Sequence, residues 1–255
     1  MHKIKYIIFI FFLLLPLASF AQVDFNIDSL INEPSDEADI NLNSLKLAWV
    51  AETYAPYEYK GRTLPTQGSK VTVDAILDIS GGSLNDLKYS WFLDDIFQES
   101  KSGYDRNSFQ FGIRRTNGSS HTVMVKIFNE SRSFMVERTI EIPIVQPEAI
   151  ICFSNNGSYS SDRKNETADV FSNKKSAFIA KPYFFDIEKL SDLTFEWKFA
   201  NQSPVISSAY SANVLDLVIE GKEDQKILEN NLSLKVTNKL NSRQSDYQST
   251  LVKIH

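Results

Sequence analysis

One short stretch occurs twice in this chain, and it limits the possible folds more than any other feature. Asp86-Leu87-Lys88-Tyr89-Ser90-Trp91-Phe92-Leu93 is answered by Asp192-Leu193-Thr194-Phe195-Glu196-Trp197-Lys198-Phe199. In both, an Asp-Leu pair leads into an aromatic-x-Trp-x-hydrophobic run. Strict alternation of apolar and polar residues marks a strand with one buried face, because successive side chains leave a pleated strand on opposite sides. Leu87, Tyr89, Trp91 and Leu93 then share one face, and Leu193, Phe195, Trp197 and Phe199 share another. Trp91 and Trp197 are each expected to be the central core residue of a small β-domain.

The surroundings of the two tryptophans repeat as well. Before Trp91, alternation predicts strands through Leu45, Leu47 and Trp49 and through Val71, Val73, Ala75 and Leu77. A Tyr-, Pro- and Gly-rich loop, 54–67, separates them, and Ser80-Gly81-Gly82 breaks the chain before the Trp91 strand. Asp94-Asp95 ends that strand. Strands follow through Phe109 and Phe111, then Val123, Val125 and Ile127, then Ile140, Ile142 and Ile144. Asn117-Gly118 signals a tight turn, and Pro143 suits an edge strand or strand end. After Pro147 the pattern restarts with Ile150–Phe153, then Phe178 and Ala180, with Tyr183–Phe185 as a further candidate. Asn155–Lys175 reads as a long polar loop, and Gly221–Asn231 as a polar stretch with room for one helical turn. Trp91 and Trp197 lie 106 positions apart (197 minus 91), and so do Phe109 and Leu215 (215 minus 109). A chain of 255 residues accommodates two domains of about 100 residues each. The expected class is all-β, with two tandem antiparallel β-sandwiches spanning 44–146 and 147–255.

The N-terminal segment reads as an address. Lys3 and Lys5 precede an apolar run, Ile7–Leu17, and small residues at Ser19 and Ala21 suit cleavage after Ala21. Residues 1–21 are expected to be a signal peptide, with an uncleaved anchor as the alternative. The apolar run is short of the roughly 20 residues a membrane span needs. Residues 22–43 carry acidic residues and no basic ones up to Asn41, which predicts a disordered acidic spacer. The mature chain is thus expected to be exported, to an extracellular, cell-surface or periplasmic location, with no membrane span. Cys152 is the single cysteine, so an intersheet disulfide is excluded, and its apolar neighbours predict a small buried side chain.

Tyr89-Ser90-Trp91-Phe92-Leu93-Asp94-Asp95, followed by His121-Thr122-Val123-Met124-Val125-Lys126-Ile127-Phe128-Asn129, resembles the polycystic-kidney-disease (PKD) domain. That family pairs an aromatic-x-Trp-x-Phe strand ending in Gly-Asp with a later Tyr-x-Val-x-Leu-x-Val-x-Asn strand. His121 stands at the second motif's aromatic, and Leu232, Leu234, Val236 and Asn238 match in the second copy. The sequence departs in lacking the glycine before Asp94, and in Ala200-Asn201 of the second copy. The resemblance covers about residues 44–255. It implies tandem PKD-like or immunoglobulin-like modules of an exported bacterial surface protein, spacer or adhesion modules without catalysis.

The residues offer no catalytic set. The three histidines are His2, His121 and His255, and none is marked by a carboxylate and nucleophile at hydrolase spacing. His121 opens a strand and is expected to be a surface or capping residue. HExxH, CxxC and P-loop motifs are absent from the sequence. Asp94 and Asp95 are a candidate Ca²⁺ pair, against a solvated turn as the alternative; no cofactor is otherwise implied. Tyr54, Tyr57, Tyr59 and Arg62 have the composition of a recognition surface. The same residues would also suit packing over a sandwich end or an interdomain joint. A formal charge of −5 with scattered basic residues argues against nucleic acid as partner. The sequence reads as a non-catalytic structural or adhesive protein whose partner is a cell-envelope protein or glycan. The alternatives are an accessory subunit of a pilus or secretion apparatus, a Ca²⁺-dependent adhesin and a carbohydrate-active enzyme fragment.

Overall fold

The computed structural model describes residues 40–155, 158–160, 167–200, 211–220 and 227–255. The segments expected to be a signal peptide and, but for its end, an acidic spacer lie outside these residues. Eight strands come first: β1 (Asn41–Ala51), β2 (Lys70–Ser80), β3 (Lys88–Leu93), β4 (Ile96–Phe97), β5 (Gly103–Tyr104), β6 (Ser108–Gly112), β7 (Ser120–Phe128) and β8 (Met135–Pro143). They form two antiparallel sheets. One has the order β1-β2-β6, and the other β4-β3-β7-β8, with β5 also on β3. Eight more strands follow: β9 (Glu148–Asn155), β10 (Ser158–Ser160), β11 (Ala168–Val170), β12 (Lys175–Tyr183), β13 (Leu193–Phe199), β14 (Val214–Val218), β15 (Leu228–Asn238) and β16 (Ser245–Ile254). Their sheets run β10-β9-β12-β14 and β11-β16-β15-β13. In both halves the first, second and fifth main strands of the immunoglobulin pattern form one sheet, and the third, sixth and seventh the other. The chain is a tandem of two immunoglobulin-like sandwiches.

Alternation explains why each core sits where it does. Every second residue of β7, His121, Val123, Val125 and Ile127, is buried, and the residues between are not. One apolar cluster gathers Trp49, Val71, Val73, Trp91, Phe109 and their neighbours; a separate one gathers Phe178, Trp197, Leu215, Leu234 and theirs. Both tryptophans are fully buried, and the indole ring of Trp91 stacks on Phe109 of the facing sheet at 5.5 Å. Each indole N–H finds a carbonyl fifteen residues downstream: Arg106 O at 2.7 Å for Trp91 and Ala212 O at 3.3 Å for Trp197. The repeat seen in the sequence is therefore a repeat of one hydrogen-bonded anchor, since a buried N–H needs a partner.

Three boundaries differ from the sequence expectation, and a fourth is met in a particular form. The spacer was expected to reach residue 43, but β1 begins at Asn41. Asn41 and Leu42 pair with Ser80 and Ile79 across a bulge, which lets the long β2 ladder carry the strand further. The loop expected over Asn155–Lys175 contains β10 and β11. Ala168 and Val170 of β11 are buried beside β16, to which β11 runs parallel, and three residues are too few for alternation to announce a strand. In the stretch 221–231, residues 221–226 lie outside the described residues, while Leu228–Asn231 are strand, paired with Leu251–Ile254. Asp94-Asp95 ends β3 as expected, but as a tight hairpin into β4. Phe92 and Leu93 pair with Phe97 and Ile96, and both aspartates have positive φ, 50° and 65°, the signature of a type I′ turn.

Candidate functional site

The loop 52–69, expected to present tyrosines, binds the first sandwich to the second. Its backbone pairs reciprocally with the end of β12. The Tyr54 N–H donates to Phe185 O at 2.8 Å, and the Phe184 N–H to Tyr54 O at 2.6 Å. The Tyr59 ring meets Tyr183 and Phe184 edge-on at 5.6 and 5.7 Å, and its hydroxyl donates to Arg62 O at 3.1 Å. The Arg62 guanidinium lies over Trp49 at 4.6 Å, a cation–π contact on the sandwich's own end. Lys181 of β12 reaches Glu58 at 2.5 Å. The hydrogen bond from Lys181 holds Glu58 below the usual carboxylate range, and the same bond raises Lys181. Burial pushes the Tyr54 phenol up, with the Glu58 charge adding to it. Tyr54 and Tyr59 thus pack at the joint. Arg62 stays exposed on the end of the first sandwich, and Tyr57 points outward, 98% exposed, with Lys60 near its ring.

A second tie crosses the joint at Gln244, which is 2% exposed. Its amide nitrogen donates to Thr66 Oγ1 at 3.0 Å and Gln67 O at 2.9 Å; its amide oxygen accepts from the Asp186 N–H and from Asn238 Nδ2. The side-chain amide is saturated by partners from both sandwiches. Gly68 closes the contact: its φ is 102°, and a Cβ there would stand 2.8 Å from Asn241 Nδ2. Nothing in the sequence marks Gln244, because its partners in the first sandwich are 178 and 177 residues away. Beside this tie runs a cleft of about 890 Å³, lined by Glu52 and Lys70 from one side and Asp186, Glu188, Lys189 and Asp192 from the other. Burial raises the Asp186 carboxyl; Lys70 opposes the shift and Glu52 adds to it.

Asp94 is engaged within the first sandwich. Its Oδ1 accepts from the Thr122 N–H at 3.0 Å; its Oδ2 meets Arg115 Nε at 3.0 Å and His121 Nδ1 at 2.7 Å. Burial works against ionisation, but the Thr122 amide, His121 and Arg115 outweigh it and hold the carboxyl below its ordinary value. Oxygens turned toward a guanidinium and an imidazole are poorly placed for Ca²⁺, which wants them free. Asp95, at the exposed tip of the turn, adds no second ligand to this group. Among the described residues no cluster of three or more His, Cys, Asp or Glu is arranged to hold a metal. His121 is not the surface or capping residue its position predicted. It is 4% exposed, edge-on to Phe111, with Nε2 buried and without a partner among the described residues. The Asp94–His121 contact ties the β3–β4 turn to β7. Cys152 is buried on the face of β9 opposite Ile151 and Phe153.

The most unusual surface lies on the solvent side of the first sandwich. On the outer face of the β4-β3-β7-β8 sheet, two rows run across the strands. Tyr104, Lys88, Phe128 and Met135 are register neighbours in one, and Phe97, Phe92, Met124 and Thr139 in the other. Four residues along β3 separate the rows, about 13 Å. Tyr104, Phe97 and Met135 are exposed, and Phe92 tilts against Phe97 at 5.4 Å. A cation stands over a ring three times: Lys126 over Phe92, Lys88 over Tyr104 and Arg132 over Phe128, at 5.7, 6.0 and 5.6 Å. Among the described residues the same face of the second sandwich carries one exposed ring, Tyr247 beside Lys235, and no such rows. Thr194 there pairs with Thr237, Glu196 with Lys235, and Lys198 with Ser233, where the first sandwich pairs Lys88 with Phe128, Ser90 with Lys126, and Phe92 with Met124. Two copies of one scaffold thus differ in phase-matched positions, so the fold itself does not require the aromatic residues.

No protein-family model matches the chain, and no curated protein matches it. Among solved structures it is similar to the three N-terminal domains of the highly immunogenic outer capsid protein of bacteriophage RB49. The identity is 13% and the TM-score 0.46, over 84% of this chain and 59% of that one. The chain therefore spans about three fifths of that structure. It is also similar to immunoglobulin domains 1–5 of Sidekick-1, at 11% identity and a TM-score of 0.31, over 87% and 40% of the two chains. The fibronectin(III)-like modules of Clostridium thermocellum CbhA match at 8% and 0.26, over 85% and 94%. Likeness at these identities and scores does not extend to function. No helix among the described residues is long and apolar enough to cross a membrane.

Proposed function

We propose that this chain is a non-catalytic, exported surface protein of PKD-like character that makes its partner contacts through the outer face of the first sandwich. The observation that carries the reading is the contrast between equivalent faces: rings, a methionine and cations on β3 and β7, polar side chains on β13 and β15. Exposed apolar clusters of this kind are costly in water and mark contact surfaces. The second sandwich, tied through Tyr54 and Gln244, serves as a spacer that holds the first in a fixed pose. The partner is a cell-envelope protein or glycan, not nucleic acid and not a membrane span. An accessory subunit of a larger surface assembly would use the same face in the same way.

The test is retention of the full chain on cell envelopes isolated from its source organism. Wild type is expected to be retained, and Phe97→Ala/Tyr104→Ala to be washed off. Added Ca²⁺ is expected to change neither result, since Asp94 already spends both oxygens on internal donors. Equal retention of wild type and variant would reject the face as the contact surface. Release of reducing ends from a polysaccharide panel would reject the non-catalytic reading.

A further inference from the structure

The face identified above has a chemistry that narrows its ligand. We infer that it binds an anionic polysaccharide, with the C–H faces of sugar rings against Phe92, Phe97, Tyr104 and Phe128 and the acidic groups drawn to Lys88 and Arg132. The inference rests on the preceding reading of this face as a contact surface.

The charges favour this ligand. The chain as a whole carries −5, yet three cations gather among these four rings. On the sheet itself Glu137 pairs with Lys126 at 3.3 Å, while Glu141, which accepts from the Ser120 hydroxyl and keeps its charge, sits opposite Thr122, six residues along β7 from Phe128. Lys88 and Arg132 are exposed, and neither has a carboxylate partner among the described residues. They are free to meet an anion.

Shape argues the same way. A protein hot spot is a charge-depleted centre with recessed pockets for anchor side chains. Here the rings lie on a regular sheet surface, and each apolar row is interrupted or overlain by a cation. An extended, repeating, acidic chain matches rows of ring and charge laid across four strands. An aromatic face also attracts positive edges, whether an ammonium or the polarised C–H bonds of a pyranose.

The experiment is native affinity electrophoresis of the full chain through gels containing polygalacturonate, with neutral dextran as the comparison. Polygalacturonate is expected to retard wild type and dextran is not. Phe97→Ala/Tyr104→Ala and Lys88→Gln/Arg132→Gln are each expected to weaken binding at least tenfold. The control Lys198→Gln/Lys235→Gln, on the matching face of the second sandwich, should stay within twofold. Raised salt should weaken wild-type binding, because exposed charges are screened over about 10 Å at 0.1 M. The Lys88/Arg132 pair is exposed and keeps the test valid if the aromatic variant folds poorly. Absence of retardation by polygalacturonate, alginate and chondroitin sulfate would overturn the inference, as would retardation that both face variants retain. If polysaccharides fail but envelope retention is still lost in the face variants, the contact surface stands and its ligand is a protein. If envelope retention is also indifferent to those variants, both readings fall.

Discussion

Trp91 and Trp197 show how one side chain is used twice. Each fills a core and donates its indole N–H to a carbonyl just before the next strand of the facing sheet. Replacing either by alanine is expected to cost about 3–5 kcal/mol, as for other large buried aromatics. Phenylalanine keeps most of the volume but orphans the carbonyl, so Trp91→Phe should cost about 1–3 kcal/mol. Urea denaturation of the variants measures both. Two aspartates have opposite effects on pH dependence. Asp94 has its folded pKa lowered, so its contribution is present above 3.8 and is lost as pH falls through the lowered value. Asp186 has its folded pKa raised, so the folded state holds its proton longer, and stability declines as pH rises from 3.8 through the raised value. Asp94→Asn, which tolerates the same positive φ, is expected to lower the urea midpoint at neutral pH and flatten the acid limb. Asp186→Asn is expected to match or exceed wild type at neutral pH. Denaturation series from about pH 3 to about pH 8 would show the two slopes with opposite sign.

Among the elements, the β3–β4 hairpin is built on a turn that its own sequence suits imperfectly. A type I′ turn needs positive φ at both central residues, and Asp-Gly or Asn-Gly meets that need with least strain. Here the pair is Asp94-Asp95. Asp94 is held by Thr122, His121 and Arg115, whereas Asp95 is exposed at the tip of the turn. Asp95→Gly is therefore expected to stabilise the protein by about 0.5–1 kcal/mol, read as a higher melting temperature. The ends of β7 and β15 are also alike. Asn129 and Asn238, the residues matched by the PKD resemblance, are both buried. Asn129 accepts from the Phe134 N–H at 2.9 Å, and Asn238 from the Leu240 N–H at 2.9 Å. Each holds the turn that leads to the last strand of its sandwich. Asn129→Ala leaves those turn groups unpaired and should cost about 1–3 kcal/mol.

At the scale of the whole chain, the two sandwiches share buried polar groups, and their stabilities are linked through them. Thr66, Gln244 and Asn238 form one network across the joint, and Phe184 is held at φ 63°, a conformation a bulky residue adopts only under constraint. Gln244→Ala removes four hydrogen bonds and leaves buried partners without donors or acceptors. The expected outcome is a single calorimetric unfolding transition in wild type and two separated transitions in the variant. By contrast Glu58→Ala removes an ion pair whose carboxylate is largely exposed, so its effect on stability should stay below about 1 kcal/mol.

The parts of this molecule that were legible in its sequence are those set by local geometry. Period-two alternation is a property of the strand itself, so Trp91, Val125, Trp197 and Leu234 declared their faces, and the 106-residue spacing declared the tandem. Residues that follow no local period stayed silent. Gln244 acquires its meaning from Thr66, and His121 from Asp94, through contacts that only chain folding brings within hydrogen-bond range. Phe92 and Phe128 occupy the solvent phase of strands whose core phase was already full, so alternation treats them as neutral. Cross-strand register alone sets them in rows with Phe97, Tyr104 and Met124. The tyrosines at 54 and 59 were visible as a group, but their composition fits a recognition surface and a joint equally well. Which one they serve depended on whether a second sandwich stands against them, and the reciprocal backbone bonds between Tyr54 and the end of β12 decided it.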